Sequence, residues 1–181
     1  MFKSFLEEIK NEVQKGYSKK GHPFKLLTLG TINSEQLPEQ RIVVLRNSNE
    51  DLKLTFFTDL RSQKVEHIQN NPIVSAHCYH PEKRLQLTFR AKAIFEKNES
   101  VIQNLWDKLG SNNRKDYNAR QIPGSFIEEP TNLEYLNHQN NFCVIHLQPT
   151  KMEYLKLNQP QHLRIVFEQK NNKWNGQFLV P

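Results

Sequence analysis

At 181 residues, 36% of them hydrophobic and 24% charged, the chain has the make-up of a soluble globular protein with one domain and a sizeable core. No apolar run approaches the length of a membrane span, and the N-terminal Met-Phe-Lys-Ser-Phe-Leu-Glu-Glu-Ile carries acids where an export signal needs an apolar block. A net charge of +6 and a pI near 9.3 admit a nucleic-acid partner, but the cations are scattered among acids, and a small anion needs only a local cluster. Cys78 and Cys143 make no disulfide framework and read as buried thiols. The expectation is a cytoplasmic protein outside any membrane.

Phe2, Phe5, Leu6, Ile9 and Val13 recur at helical spacing, which predicts an amphipathic helix over residues 2–15 ended by Gly16. Lys25 to Ile32 reads as a first strand, where Gly30 fits a close approach or a bulge. Arg41-Ile-Val-Val-Leu-Arg46 is β-branched and alternates, with Arg41, Val43 and Leu45 on one face and Ile42, Val44 and Arg46 on the other. Turn formers fill Asn47 to Asp51, and Leu52 to Thr58 returns as a second strand, so a hairpin is the cheapest connection. Ser62 is positioned to cap a helix from Gln63 to Gln69, stopped by Asn71-Pro72. A helix start flanked by Ser62 and Lys64, beside a strand carrying Arg41, suits a phosphate, because free N–H groups, the helix dipole and the cations all favour a dianion. The plainer alternative is a hairpin with solvated charges.

Ile73 to Tyr79 is a further strand. Of His77, Cys78 and His80, only Cys78 and His80 share a face, and no second ligand pair follows at metal spacing, so no metal is expected. Arg84 to Phe95 alternates as a half-buried antiparallel strand. Asn98 to Leu109 reads as a capped helix with a buried stripe of Val101, Ile102, Leu105, Trp106 and Leu109. Glu128 to Gln139 reads as loop plus short helix. Phe142–Leu147, Met152–Leu157, His162–Glu168 and Trp174–Val180 read as closing strands. Seven or more short strands with a few helices predict a small antiparallel barrel.

Three segments, Arg41-Ile-Val-Val-Leu-Arg46, Phe56-Phe-Thr-Asp59 and Ser62-Gln-Lys64, resemble the FMN-binding segment of the pyridoxamine 5'-phosphate oxidase family. The resemblance extends over most of the chain. It implies a mainly β, Greek-key-like split barrel with flanking helices. That is a single FMN-binding domain over 1–181, with a helix at about 2–15 and a barrel over about 25–181. It further implies FMN contacts from Arg41, Ile42, Val43, Val44, Arg46, Phe57, Thr58, Ser62, Gln63 and Lys64. Gln86 would pair with the polar edge of the flavin ring and Arg164 would lie near its N5 and N1 side, with the FMN at a homodimer interface. Arg46, His162, Arg114 and Tyr117 are the substrate-side candidates. Arg114, Tyr117, Pro123 and Gly124 match an Arg-x-x-Tyr and Pro-Gly signature of one branch of the family, rather than the vitamin B6 enzyme itself.

The departures lie on the substrate side. Pro160 stands where the B6 oxidases have a stacking arginine, and Leu105-Trp106 where they have a phosphate-binding tyrosine. Leu155 replaces a cofactor-contacting tryptophan and Gln63 one of two phosphate cations. The function this implies is an FMN-dependent oxidoreductase of unassigned substrate. The alternatives are a non-catalytic flavin- or haem-handling relative and a small basic β-barrel that binds nucleic acid. The last is disfavoured because the cations coincide with a phosphate-sized site rather than a long groove.

Overall fold

The computed structural model describes residues 1–136, 140–171 and 173–181. Helix α1 (Phe2–Ser18) precedes strands β1 (Leu26–Ile32), β2 (Pro38–Val44), β3 (Asn47–Ser48) and β4 (Leu54–Asp59). Helix α2 (Gln63–Asn70) leads to β5 (Ile73–His80) and β6 (Leu85–Phe95). Helices α3 (Glu99–Asp107) and α4 (Ser111–Asn118) then precede β7 (Phe142–Lys156), β8 (Leu163–Lys170) and β9 (Lys173–Leu179). The nine strands form one antiparallel sheet in the order β2-β1-β5-β6-β7-β4-β3, with β8 and β9 added on β7. This is the mainly β, split-barrel architecture that the sequence predicts, and no pairing among the described residues closes the sheet.

Alternation builds the core. Val74, Ala76 and Cys78 on β5 and Leu85, Leu87, Phe89 and Ala91 on β6 turn inward, joined by Ile9 and Val13 of α1. Helix α1 does not stop at Gly16. A Cβ there would lie 2.9 Å from the Phe24 carbonyl oxygen and 3.1 Å from Leu45 Cδ2, so the missing side chain serves close packing rather than termination. Gly30 is likewise a site of close approach, since a Cβ would meet Ser75 Oγ at 2.6 Å.

Two expectations about pairing are corrected. The hairpin across the Asn47–Asp51 turn forms only at its end, where Asn47 and Ser48 of β3 pair with Thr55 and Leu54 of β4. The Arg46 N–H donates to the Thr55 carbonyl at 2.8 Å, and the strand carrying Arg41 stops short of this hairpin. That strand pairs along its length with β1, from Leu26↔Val44 to Ile32↔Pro38, while β4 pairs with β7. The loop between β1 and β2 accounts for this, because the Asn33 side chain accepts from the N–H groups of Glu35 and Leu37 and folds a tight connection. The predicted strands Phe142–Leu147 and Met152–Leu157 are one continuous strand, β7. Its first half pairs with β4, its second half with β8, and β6 spans both halves. Pro149, which has no N–H for the ladder, sits at the register shift between Arg90 and Ala91, where a bulge absorbs it.

The stripe on α3 is not fully buried either: Val101 is exposed, and Ile102, Leu105, Trp106 and Leu109 are half-buried against Tyr117, Phe142 and Val144. Within the predicted Glu128–Gln139 segment, Pro130–Asn132 forms a short 3-10 turn, and residues 137–139 lie outside the described residues.

Candidate cofactor site

The end of β4 and the start of α2 bring the short polar residues of the Thr58–Lys64 segment together. Ser62 sits at the N-cap position, but its hydroxyl donates to the Asp59 carbonyl at 2.7 Å and lies 3.2 Å from Thr58 Oγ1, so it leaves the first helical N–H groups uncapped. Lys64 Nζ donates to Thr58 Oγ1 at 3.0 Å. Burial, and then the nearby Arg41 charge, pull the Lys64 pKa below its ordinary value; burial also lowers that of Arg41. Two cations are therefore held close together and partly desolvated. Asp59, the acid whose charge acts on Lys64, is tied to Arg61 at 2.8 Å. Such a pair is unfavourable alone and becomes favourable when a dianion enters.

A cavity of about 240 Å³ opens beside these groups, lined by Ile42, Val43, Val44, Arg46, Phe57, Thr58, Ser62, Lys64 and Tyr117 from the predicted set, and by Asp59, Asp116 and Pro123; Arg41 does not line it. Arg46 lies over the Phe57 ring at 5.5 Å, and its buried Nε has no acceptor among the described residues. Burial pushes the Tyr117 hydroxyl pKa up, and the Arg46 charge opposes the rise. Gln63 is exposed and does not line the cavity. Arg114 does not reach it; its guanidinium stacks on Trp106 at 5.0 Å and donates to the Trp106 and Asp107 carbonyls, closing the end of α3. Arg61, which sequence reasoning missed, holds the carbonyls of Ala119 at 2.7 Å and Arg120 at 3.0 Å, and so fixes the segment that carries Pro123 over the cavity. Its partners in that segment are main-chain oxygens, which leave no side-chain signature to find.

The remaining predicted residues lie elsewhere. Gln86 and Arg164 flank Leu155 in one row across β6, β7 and β8. Arg164 is ion-paired with Glu153 at 2.7 Å. His162 is exposed just before β8, with Nδ1 3.0 Å from the Asn158 carbonyl oxygen. Thr58 pairs with Cys143, twelve residues along β7 from Leu155, on the order of 40 Å of strand at about 3.3 Å per residue. Within one chain the two groups do not meet. Both border the outward face of β1, β2, β5 and β6, where Leu26, Ile42, Ile73, Tyr79 and Ile94 are about half-exposed. A second cavity, about 330 Å³, opens between Gly30, Ser75, Thr88 and Glu153, and none of the predicted cofactor residues lines it.

His80 turns inward, where its ligand atom lies within 4.8 Å of those of Glu12 and His22. The grouping has metal-like chemistry but is already filled. Lys15 and Lys83 both donate to Glu12 Oε1. His22 Nδ1 accepts the Phe24 N–H at 3.2 Å, so its Nε2 carries the ring proton towards Glu12 Oε2 at 3.3 Å. Burial lowers the His22 pKa, in keeping with a neutral ring. The cluster ties α1 to the β5–β6 turn.

A Vibrio vulnificus (strain YJ016) pyridoxine/pyridoxamine 5'-phosphate oxidase is 36% identical over 70 residues, 38% of this chain and 33% of that relative, so the match spans about a third of the relative's length. A pyridoxamine 5'-phosphate oxidase-related, FMN binding protein from Nostoc punctiforme PCC 73102 has a similar fold, with a TM-score of 0.79 at 22% identity over 97% of this chain and 96% of that one. PhzG from Burkholderia lata 383, solved in complex with tetrahydrophenazine-1-carboxylic acid, gives a TM-score of 0.75 at 17% identity over 99% of this chain and 90% of that one. Residues 2–96 match the family described as pyridoxamine 5'-phosphate oxidase, FMN-binding domain, and the chain belongs to that family.

Proposed function

We propose that this chain binds FMN and serves as a flavin-dependent oxidoreductase for a small molecule. The observation that carries the reading is the pair of desolvated cations, Arg41 and Lys64, beside an uncapped helix start. The residues fit the cofactor. The N–H groups of the first turn of α2, the Thr58 and Ser62 hydroxyls and Lys64 would hold the phosphate, with Arg41 behind them. Val43, Val44 and Phe57 supply an apolar wall for the ring, and the buried Arg46 Nε still lacks an acceptor among the described residues. When bound, FMN supplies the hydride chemistry. The chain's own part is to bind, to exclude water along that wall, and to orient a polar group of the substrate against Arg46 and the Tyr117 hydroxyl.

The working unit in this reading is a homodimer. A second copy seated on the outward face would cover its half-exposed apolar residues and bring its own Gln86, Leu155 and Arg164 row towards the cleft. A flavin carrier without turnover is the second reading, favoured by Pro160 and Leu155, which replace an arginine and a tryptophan that the family resemblance implies. Fluorescence titration with FMN tests the proposal. Quenching that saturates near one FMN per chain is expected, and purified protein that takes up no added FMN would refute it.

A further inference from the structure

Arg41 does not line the cavity, yet its charge acts on Lys64. What holds its partly buried guanidinium? Arg41 Nη1 donates to Thr31 Oγ1 and, at 3.2 Å, to the Glu39 carbonyl; Nη2 reaches the Glu39 carboxylate at 3.3 Å. Thr31 is itself buried, and its Oγ1 lies 3.0 Å from Nδ1 of His67, also buried, in the last turn of α2. A guanidinium can only donate, so the Thr31 oxygen accepts from Arg41, and the same hydroxyl holds His67 Nδ1, as donor or acceptor according to the imidazole tautomer.

His67 follows Lys64 by three residues, so the two side chains share one face of α2. Lys64 bears on Arg41 by charge, and His67 by the hydrogen-bonded relay through Thr31. The relay thus locks the register of α2, which carries one phosphate cation, to the β1–β2 pair, which carries the other.

We infer that Thr31 and His67 are positioning residues for the phosphate end of the cleft, fixing the Arg41 guanidinium in line with Lys64. This rests on the FMN reading above. Neither residue belongs to the motif segments that mark the cofactor site in the sequence, and neither touches the cavity beside Lys64.

The test compares FMN with riboflavin, which has the same ring but no phosphate, by fluorescence titration of Thr31→Val, Thr31→Ser, His67→Leu and His67→Asn. Thr31→Val keeps the shape and deletes the relay, so FMN affinity should fall about ten-fold while riboflavin affinity stays level. Thr31→Ser restores the hydroxyl and should recover most of the loss. His67→Leu should behave like Thr31→Val, and His67→Asn, whose side-chain amide can donate or accept in place of Nδ1, should recover in part. Equal losses for FMN and riboflavin would overturn the inference, as would a Thr31→Ser loss as large as that of Thr31→Val, or unchanged FMN affinity throughout. If Thr31→Val fails to fold, the His67→Leu and His67→Asn pair is read by the same criteria. A wild-type protein that binds riboflavin and FMN equally would refute the phosphate site itself, and this inference with it. A wild type that prefers FMN, with variants that keep the preference, would refute only the relay.

Discussion

Replacing Lys64 by Met should move stability and cofactor affinity in opposite directions. In the unliganded protein the Lys64 ammonium is partly buried beside Arg41, and both effects lower its pKa. A lysine whose folded pKa lies below its unfolded value is a net cost to the fold while it is charged. That cost is fully present at neutral pH and fades only as pH climbs through the folded pKa towards the ordinary 10.5. Met keeps the length and apolar contacts of the side chain and removes the charge. Thr58 Oγ1 loses the Lys64 donor at 3.0 Å but keeps Ser62 Oγ at 3.2 Å. A gain of up to about 1 kcal/mol, or roughly 2–4 °C in Tm for a chain of this size, is expected without cofactor. With FMN the charge-assisted hydrogen bond to phosphate is gone, which costs about 1.5–3 kcal/mol, or roughly ten- to a hundred-fold in affinity. Thermal melts at neutral pH with and without saturating FMN, beside a fluorescence titration, measure both arms. Equal FMN affinity in the two proteins would refute the phosphate assignment. A clear fall in the Tm of the unliganded variant would refute the view that the site holds unbalanced charge in wait for an anion.

Three further outcomes are expected. Burial alone would raise the Glu12 carboxyl, but hydrogen bonds from Lys15 and Lys83 hold it at about 2. Stability from this depressed carboxylate is complete above about pH 4.5 and lost as pH falls towards 2, on the order of 3 kcal/mol. Urea midpoints should therefore drop more steeply with acid in wild type than in Glu12→Gln, and parallel curves would argue against it. Changing Gln86 to Leu should weaken FMN binding less than Lys64→Met does while shifting the flavin reduction potential; a bound flavin with an unchanged potential would place Gln86 outside the site. Pyridoxamine 5'-phosphate should turn over far below about 1 per second, measured as hydrogen peroxide release, because Pro160 supplies no cation and Leu105-Trp106 no tyrosine hydroxyl. Turnover at or above that rate would show that the departures from the B6 enzymes matter less than argued.

The helix start that carries Ser62 and Lys64 was legible because its chemistry is local. Ser62 and Lys64 lie in one helix start, and alternation alone puts Val43 and Leu45 inward and Ile42 outward, as observed. Alternation also kept His77 apart from Cys78 and His80. It says nothing about which strand lies alongside, so β1 was not foreseen as the main partner of the Arg41 strand, and Pro149 concealed the continuity of β7. The grouping of Glu12, His22 and His80 joins three distant parts of the chain, and no spacing rule reaches that far. Arg114 was readable as a motif residue, yet its geometry gives it a carbonyl-capping task on α3.

Arg61 has a consequence for how this protein could be re-engineered. Apart from Asp59, the hydrogen-bond acceptors of its side chain in the covering segment are main-chain oxygens of residues 119–121. The anchor therefore responds to the path of the chain and is blind to the side chains mounted on it. Downstream, Phe126 stands fully in solvent and Ile122 is half-exposed. The roof of the cleft is, in effect, a cartridge held by a socket that does not read its contents. A foreign segment following the same path at its first three residues would seat on Arg61 as the native one does. New contacts above Arg46 and Tyr117 could then be installed without disturbing the Thr58–Lys64 floor proposed to hold the phosphate.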